Sequence, residues 1–434
     1  MKVTLERLPE SRVQLEIEVD EERLEKSLDQ AYKRIAQRTN IPGFRKGKAP
    51  RRVVEKMFTR EGLIREALDK LVPDVYNEAI AEQDITAVDQ PDLEILETEP
   101  VRFKATVAVS PTVTLGDYHA IRVEVEEEEV TAEMLDEQMM RIRRTHATQS
   151  PVERGVQWDD MVTGDVVGMV EDEPFVEDTD VEFPIREGQT LLLEGIAEAF
   201  IGMASGDEKE VTFPIPDDFR VEDLRGKEAN FKLAVREVKE EVLPDEDDDL
   251  AQAVNAEDFE TIDDLRSRLR EDMEAAQKRQ TDAEIREKAV DALVEEATLD
   301  FPEVFVEREI DGLIRESVGN NQEAFEAHLL HIGKSAEEFR QSFREAAEIR
   351  VKRTLVLSQF AEDESIDVDQ EAIEAELDRL VEPMGDGPET AQLREMFGSS
   401  EGTSTIGRNL LTERTLERLQ AIASGAQQEE EKSE

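Results

Sequence analysis

Residues 41–50 read Ile-Pro-Gly-Phe-Arg-Lys-Gly-Lys-Ala-Pro and contrast with the rest of the chain in charge. The formal net charge of the whole protein is -54, whereas residues 41–60 contain seven basic side chains and the single acid Glu55. A local cluster of Lys and Arg on an exposed element can bind a polyanion such as RNA, whatever the total charge of the protein. The contrast predicts a docking tip, and its cations are Arg45, Lys46, Lys48, Arg51, Arg52, Lys56 and Arg60.

The same residues predict a rigid exposed loop between two helices. Pro42 fixes its own φ, and Gly43 and Gly47 permit positive φ. Apolar residues at helical spacing predict one helix over 21–38, before the loop, and a second over 50–58, after it.

Phe44 is the aromatic side chain of this loop, and two cations follow it directly. Charge and spacing alone leave two interpretations open. Phe44 could insert into a crevice of a partner while the cations hold phosphate or acidic side chains. Alternatively, the loop is a solvated turn, and Phe44 packs back into the local core.

The motif Gly43-Phe44-Arg45-Lys46-Gly47-Lys48-Ala49-Pro50 resembles the ribosome-docking signature of the trigger factor family, bacterial chaperones that bind beside the nascent-chain exit tunnel. The resemblance covers essentially the whole chain. It implies that Phe44, Arg45 and Lys46 contact a ribosomal protein at the tunnel exit and the neighbouring rRNA. Gly43, Gly47 and Lys48 complete the implied ribosome-binding set. Unfolded nascent polypeptides are the second implied partner, neither membrane nor DNA is implied, and a homodimer off the ribosome stays open.

Length and composition bound the architecture. A chain of 434 residues predicts about two to four domains. No segment is long and apolar enough to suggest a membrane span, and the first twenty residues alternate as a strand does, so we expect a cytoplasmic protein. The absence of cysteine excludes disulfides and thiolate chemistry and fits a reducing compartment.

The acidity of the chain exceeds what solubility requires, with 107 acidic against 53 basic residues. Such an imbalance is typical of proteins adapted to high salt, where charge repulsion is screened. A salt-loving source is therefore a hypothesis. Unfolding at low ionic strength would support it, and a stability that is indifferent to salt would end it.

The sequence predicts a multidomain α+β protein. Residues 1–115 predict an α+β domain with a helical-hairpin tip, which the resemblance identifies as the ribosome-binding domain. Alternation predicts strands over 3–5, 13–19 and 103–109, and helical spacing predicts a helix over 61–83. Residues 116–150 form an extended acidic linker and a helix over 132–145.

Residues 151–243 predict a small antiparallel sheet that wraps one short helix over 192–201. This region resembles the FKBP-type peptidyl-prolyl isomerases. The residues that carry the resemblance are Glu187-Gly188-Gln189, Gly195, Gly202, Val211-Thr212-Phe213-Pro214 and Leu224-Arg225-Gly226-Lys227.

An isomerase of this kind needs no nucleophile, because an apolar aromatic pocket favours the twisted amide during rotation about the Xaa-Pro bond. The resemblance assigns to this pocket Asp165, Phe175, Phe183, Ile196, Phe219 and Phe231. Ile196 occupies the aromatic floor position, Phe219 replaces a usual Tyr, and Val166 replaces a usual Phe or Tyr. Aliphatic groups keep the site apolar but remove ring faces that stack on proline. We therefore expect weak or absent isomerase activity, and a fold that keeps only its packed core is the alternative.

Residues 244–423 predict an all-α domain, which the resemblance identifies as the chaperone domain, and residues 424–434 a disordered acidic tail. One of its predicted helices spans 303–318, and Ser335 with Glu338 predicts a capping box at the start of another. Residues 244–249, Pro-Asp-Glu-Asp-Asp-Asp, suggest a solvated linker. Nine apolar side chains of the domain could be core or could line a cleft for unfolded segments: Phe325, Phe339, Phe343, Leu355, Leu377, Leu380, Met384, Met396 and Phe397.

Other site chemistry is sparse. His328 and His331 lack a third metal ligand, and no phosphate-binding glycine loop of the ATPase type is present, so neither metal nor cofactor is expected. The sequence thus predicts an ATP-independent ribosome-associated chaperone with a weakened isomerase domain. The alternative function is a soluble FKBP-type prolyl isomerase whose helical domain recruits substrates.

Overall fold

The computed structural model describes residues 1–39, 42, 44–45, 47–98, 100–126, 129–171, 173–188, 190–382, 385 and 387–425. Of residues 55, 56, 59, 60, 222 and 388–391 it describes the backbone only. Gly43 and Lys46 of the predicted docking set, Met384 of the apolar set and most of the predicted acidic tail lie outside the described residues.

The helices and strands follow each other along the chain. The helices are α1 (Glu21–Arg38), α2 (Arg51–Glu82), α3 (Ala132–Thr145), α4 (Ile196–Phe200), α5 (Asp248–Asn255), α6 (Ile262–Glu296), α7 (Glu303–Val318), α8 (Gln322–Ile332), α9 (Ala336–Asp363), α10 (Gln370–Val381), α11 (Pro388–Phe397) and α12 (Ser400–Ala423). The strands are β1 (Lys2–Leu8), β2 (Arg12–Glu18), β3 (Asp92–Thr98), β4 (Val101–Ala108), β5 (Thr112–Thr114), β6 (Thr148–Pro151), β7 (Asp160–Val170), β8 (Glu173–Ile185), β9 (Glu208–Pro214), β10 (Glu228–Val242) and β11 (Thr298–Asp300). None of the described helices is long and apolar enough to cross a membrane.

The chain divides into two compact units, and the first contains Met1–Val125 together with Asp282–Glu434. Its N-terminal part is an antiparallel sheet in the order β1-β2-β4-β3. Alternate residues of β2 and β4 are buried and share one core with α1 and α2, because successive side chains of a strand point to opposite faces. The predicted strands of this sheet are confirmed, and β3 was not predicted.

The helix after the loop is longer than predicted. The sequence suggested separate helices over 50–58 and 61–83, whereas α2 runs without a break from Arg51 to Glu82 and contains Gly62 and Pro73. Glycine and proline each weaken a helix interior, by about 1 and 3 kcal/mol. Buried side chains on both sides of Gly62, including Val54 and Leu63, hold the helix against the sheet and offset that cost.

The C-terminal part of the first unit is helical and is joined to the N-terminal part by strands and hydrogen bonds. β11 pairs with β5, at the end of the predicted N-terminal domain. Residues 116–125 of the predicted linker belong to the same unit. Asp300 accepts hydrogen bonds from the backbone N–H groups of Glu10 and Ser11 at 2.9 and 2.8 Å. The prediction of α7 over 303–318 and of a capping box at Ser335 and Glu338 is confirmed.

The second unit contains Glu126–Thr281 and is built around a twisted sheet. Its strands follow the order β6-β10-β7-β8, and β9 pairs with β10. The short helix α4 contributes Ile196 and Phe200, both fully buried, to the core on one face of this sheet. The predicted sheet with one short helix is confirmed, although α4 spans five residues rather than the predicted ten.

The acidic run 244–249 is exposed at residues 245–249, as the sequence suggested, but it is ordered at the start of α5 rather than a free linker. Asp247 caps α5 by accepting a hydrogen bond from the N–H of Leu250, and Glu246 pairs with Arg143 of α3 and Arg266 of α6. The three helices share an apolar cluster that includes Met139, Leu250 and Leu265. The acidic side chains are therefore structured because they lie at a helix start and between two arginines that are distant in sequence.

Candidate functional site

The helical hairpin that carries the predicted docking loop is fixed along its length by polar contacts between α1 and α2. Arg23 makes two hydrogen bonds to the carboxylate of Glu78, at 2.7 and 2.8 Å. The buried hydroxyl of Ser27 donates to the carbonyl of Ala67, and Arg34 donates to Glu66. The loop therefore projects from a rigid support.

The loop itself is anchored to α1 at two of its described residues, Gly47 and Ala49. The N–H of Gly47, where φ is +77°, donates to the carbonyl of Ala36 at 2.7 Å. The hydroxyl of Tyr32 donates to the carbonyl of Ala49, whose side chain is buried. A side chain at position 47 would be strained, because L residues rarely adopt that φ. The glycine and the tyrosine thus fix residues 47–49 of the loop against α1.

Phe44 is exposed on this anchored loop, with 39% of its surface accessible. The interpretation in which Phe44 packs back into the local core is therefore wrong for this structure, because the ring is also not part of the neighbouring apolar cluster. Arg45 and Lys48 are exposed, and neither forms an ion pair with any residue that the structure describes. An accessible ring next to free cations is the arrangement that suits an anionic crevice.

One member of the predicted basic cluster is already neutralised within the protein. Arg51 lies at the start of α2 and donates to Asp29 at 2.7 Å and to Glu25 at 3.3 Å, both on α1. These ion pairs join the start of α2 to α1 at the base of the loop. The exposed charge of the tip is therefore smaller than the sequence suggested.

In the second unit, an open cavity of about 650 Å³ lies beside the sheet. Phe175 and Phe219 are the aromatic residues of its lining, and their rings meet edge to face at 6.4 Å. The remaining lining residues are Val176, Leu192, Leu193, Asp218, Arg220, Val221 and Leu224. The site is mostly apolar with charged groups at its rim, which suits a short apolar peptide segment.

Three other residues that the sequence assigned to the pocket lie in the core beneath it. Phe231, Ile196 and Phe183 are at most 8% exposed and do not line the cavity. Phe231 contacts Phe175 edge to face at 5.7 Å. Gly168 makes this contact possible, since a Cβ there would come within 2.8 Å of the Phe231 ring and 2.9 Å of the Phe175 ring. Phe231 therefore supports the cavity rather than lining it.

Asp165, the acidic residue that the resemblance assigned to the pocket, does not line the cavity. Burial alternates along β7, so Asp165 is on the face opposite the buried Val166. Its carboxylate accepts a hydrogen bond from the N–H of Asp180 at 2.8 Å, and the guanidinium of Arg236 lies 2.9 Å away. The bond from the Asp180 N–H and then the pair with Arg236 lower the pKa of Asp165 below its ordinary value. The group is engaged in the sheet and does not reach the cavity.

Sequence reasoning missed the aliphatic side of this cavity. Leu192 and Val221 are 39% and 43% exposed, unusually open for large apolar residues. Both lie in irregular segments outside the strands and helices of the sheet, where no periodic pattern marks a residue as lining a site.

The helical part of the first unit leaves several apolar side chains open to solvent. Leu330 on α8 is 86% exposed, and Met396, Ile349 and Leu380 are 54%, 46% and 43% exposed. Of the nine residues with two interpretations, Phe339 is core, at 6% exposure, whereas Leu380 and Met396 are surface. The structure thus assigns three members of a set that the sequence left undivided.

Comparison with known proteins gives consistent similarities along the chain. The family model for the bacterial trigger factor protein matches residues 1–142, that for FKBP-type peptidyl-prolyl cis-trans isomerase matches residues 153–239, and that for the trigger factor C-terminus matches residues 261–421.

Two curated relatives illustrate the degree of similarity. The trigger factor of Moorella thermoacetica is 37% identical, with 90% of this chain and 89% of that protein covered. The trigger factor of Dehalococcoides mccartyi (strain CBDB1) is 33% identical, with 98% and 95% covered. A solved structure from work on promiscuous substrate recognition in folding and assembly activities of the trigger factor chaperone has a TM-score of 0.56 and 24% identity, and covers 97% of this chain and 99% of that chain. It has the same fold.

Proposed function

The chain belongs to the trigger factor family, and from that premise we propose that it is an ATP-independent chaperone that docks on the ribosome and binds nascent polypeptides. The observation that carries the proposal is the exposed Phe44 beside Arg45 on a loop anchored by Gly47 and Tyr32. Ribosomes lie in the cytoplasm, so the proposal also places the protein there.

The docking step follows from the chemistry of the loop. Phe44 supplies apolar area, and Arg45 and Lys48 supply charge for rRNA phosphates or acidic side chains of a ribosomal protein. Gly43 and Lys46 belong to the proposed set by their place in the motif, and Gly47 belongs to it because it shapes the loop. Since the rest of the chain is strongly acidic, docking of any other surface on rRNA would be opposed by charge repulsion.

Co-sedimentation with purified bacterial ribosomes tests this step. The variant Phe44→Ala/Arg45→Ala should lose most of its binding. The matched control Leu5→Ala/Arg7→Ala removes an exposed apolar residue and a cation from β1 and should bind as the wild type does. Added salt should weaken wild-type binding, because phosphate contacts release counterions. Wild-type binding that survives the Phe44 and Arg45 changes would overturn the proposed docking tip.

Nascent chains would be held by the open apolar side chains of the helical region. Leu330, Ile349, Leu380 and Met396 lie on α8, α9, α10 and α11 and are exposed. Apolar side chains that are spread over several helices, with the adaptable Met among them, suit clients of varied sequence. Suppression of the aggregation of a denatured client should weaken when Leu330 and Met396 are both changed to Ser.

A minor isomerase activity is the second candidate function, and the open cavity beside Phe175 and Phe219 favours it. In this proposal the two rings and Leu192 hold the apolar segment around a proline, while Phe183, Ile196 and Phe231 support them from the core and Asp165 stabilises the sheet. Few ring faces are available to stack on proline, so the activity should be weak. In a protease-coupled peptide assay, Phe219→Ala should lower the rate further and Asp165→Asn should not. Efficiency equal to that of an FKBP with a fully aromatic pocket would contradict this interpretation.

A further inference from the structure

Strand β3 is an unusual edge of the N-terminal sheet. Among the described residues it pairs only with β4, on one side, and each of its residues is exposed. Leu93, Ile95 and Leu96 are 38%, 48% and 41% exposed, so three large apolar side chains lie open within four consecutive positions. An edge strand also presents unpaired backbone N–H and C=O groups. Backbone and side chains are thus both available at one edge.

The pairing register shows why these side chains are open. Leu93 lies opposite Ala105 and Ile95 opposite Phe103, and both partners on β4 are completely buried. Leu93 and Ile95 therefore lie on the core face of the sheet, because residues that are directly opposite share a face. Neither joins the apolar cluster that α1 and α2 form with β2 and β4. The helices cover the middle of the sheet and leave Leu93 and Ile95 uncovered on β3. These two exposed side chains are called the apolar ledge.

The opposite face of the same strand is acidic. Asp92 lies opposite Thr106 and Glu94 opposite Lys104, which places both carboxylates on the solvent face. Glu97 follows the bulge at Leu96 and lies 3.6 Å from Arg102. A strand added here would meet apolar groups on one face and negative charge on the other.

That charge pattern discriminates between occupants. A second copy that paired its own β3 with this one would place Asp92, Glu94 and Glu97 against the same three acids, in a chain of net charge -54. Like charges on paired strands destabilise the pairing. A polypeptide that alternates apolar and basic residues would instead match both faces.

We propose that β3 binds an extended, basic segment of unfolded polypeptide as an additional strand of the sheet. Apolar client side chains pack on Leu93 and Ile95, and Lys or Arg side chains lie near Asp92 and Glu94. Backbone hydrogen bonds supply affinity for any sequence, and alternate side chains supply the preference. The proposal rests on the proposed chaperone function and names a class of client for it.

Fluorescence anisotropy with the full-length protein tests the apolar face. The probe is a labelled peptide of seven residues, the length of β3, that alternates valine with lysine. Leu93→Ser should weaken binding about tenfold, as expected for removing one buried leucine. The matched control is Leu5→Ser, because Leu5 is also 38% exposed and lies opposite the buried Leu15, but on the other edge strand, β1. Equal losses in the two variants, or no binding by the wild type, would overturn the proposal.

A charge reversal tests the acidic face with a variant that leaves the apolar ledge intact. Asp92→Lys/Glu94→Lys should lose the valine-lysine peptide and gain a valine-glutamate peptide. Amide hydrogen exchange supplies the structural readout, since an added strand should slow exchange within 92–98 and leave β1 unchanged. Unchanged exchange in β3 would contradict strand addition. Loss of a dimer in Leu93→Ser, measured by sedimentation velocity, would assign the edge to a second copy instead.

Ribosome co-sedimentation and aggregation suppression by the same variants separate this inference from the function on which it rests. If the wild type docks on ribosomes and protects clients but the peptide does not bind β3, only the proposal for β3 fails. If docking and protection are both absent, the chaperone function fails as well.

Discussion

The predicted docking loop and the predicted isomerase pocket both rest on family motifs, yet the structure places their residues differently. On the loop, Phe44 is exposed and Gly47 adopts the positive φ that its position in the motif requires. In the cavity, Phe175 and Phe219 form the only aromatic wall among the described lining residues, while Phe231 is core.

The difference reflects how each site is encoded. The loop motif is contiguous, so its residues share one turn and the local backbone fixes their exposure. The pocket is assembled from strands and segments that are distant in sequence. Whether a residue lines that pocket or supports it depends on packing, as the contact of Phe231 with Phe175 shows.

The largest expected effect tests whether Phe231 supports the cavity from the core or lines it. Phe231→Ala should destabilise the second unit by about 3–5 kcal/mol, because it removes a buried ring that packs on Phe175 and Phe213. Chemical denaturation followed by far-UV circular dichroism measures this. Phe219→Ala, at the edge of the cavity, is the control and should cost much less. An unchanged unfolding midpoint for Phe231→Ala, with only activity lost, would make Phe231 a wall of the site.

A smaller effect is expected where the loop is anchored. Tyr32→Phe removes the hydrogen bond to the Ala49 carbonyl, which is worth about 1 kcal/mol, and should weaken ribosome binding by up to about fivefold. Tyr76→Phe is a matched control, since the Tyr76 hydroxyl is buried on the same hairpin without a hydrogen-bond partner among the described residues. The measurements are ribosome affinity and exchange of the Gly47 amide. If both variants bind ribosomes like the wild type, the loop does not depend on this anchor.

The smallest effect concerns Asp165, whose pKa is lowered by the Asp180 N–H and by Arg236. Its contribution to stability is present at pH values above the ordinary carboxyl pKa of 3.8 and is lost as the pH falls through the lowered value. Because the pair is partly exposed, the contribution should be under about 1 kcal/mol. Asp165→Asn should therefore slightly reduce the loss of unfolding free energy at acidic pH. It should leave peptide isomerisation unchanged. A large loss of isomerase activity in Asp165→Asn would instead show that Asp165 acts in the isomerase site.

Local signals predicted much of the fold. The helices over 21–38, 132–145 and 303–318 have the predicted bounds, because apolar spacing and end signals agree there. Strand β3 was missed because its alternation lasts only over residues 92–95 before the bulge at Leu96 breaks it. The acidic run 244–249 was misjudged because Arg143 and Arg266, which order it, are far away in sequence.

The most direct test of the account follows protection of a client during its synthesis on the ribosome. In a reconstituted translation reaction, aggregation of an aggregation-prone client is compared for the wild type, Phe44→Ala/Arg45→Ala and Phe175→Ala/Phe219→Ala. We expect the loop variant to lose most of the protection and the cavity variant to keep it. Full protection by the loop variant, together with loss in the cavity variant, would contradict this expectation and make the isomerase domain the centre of function.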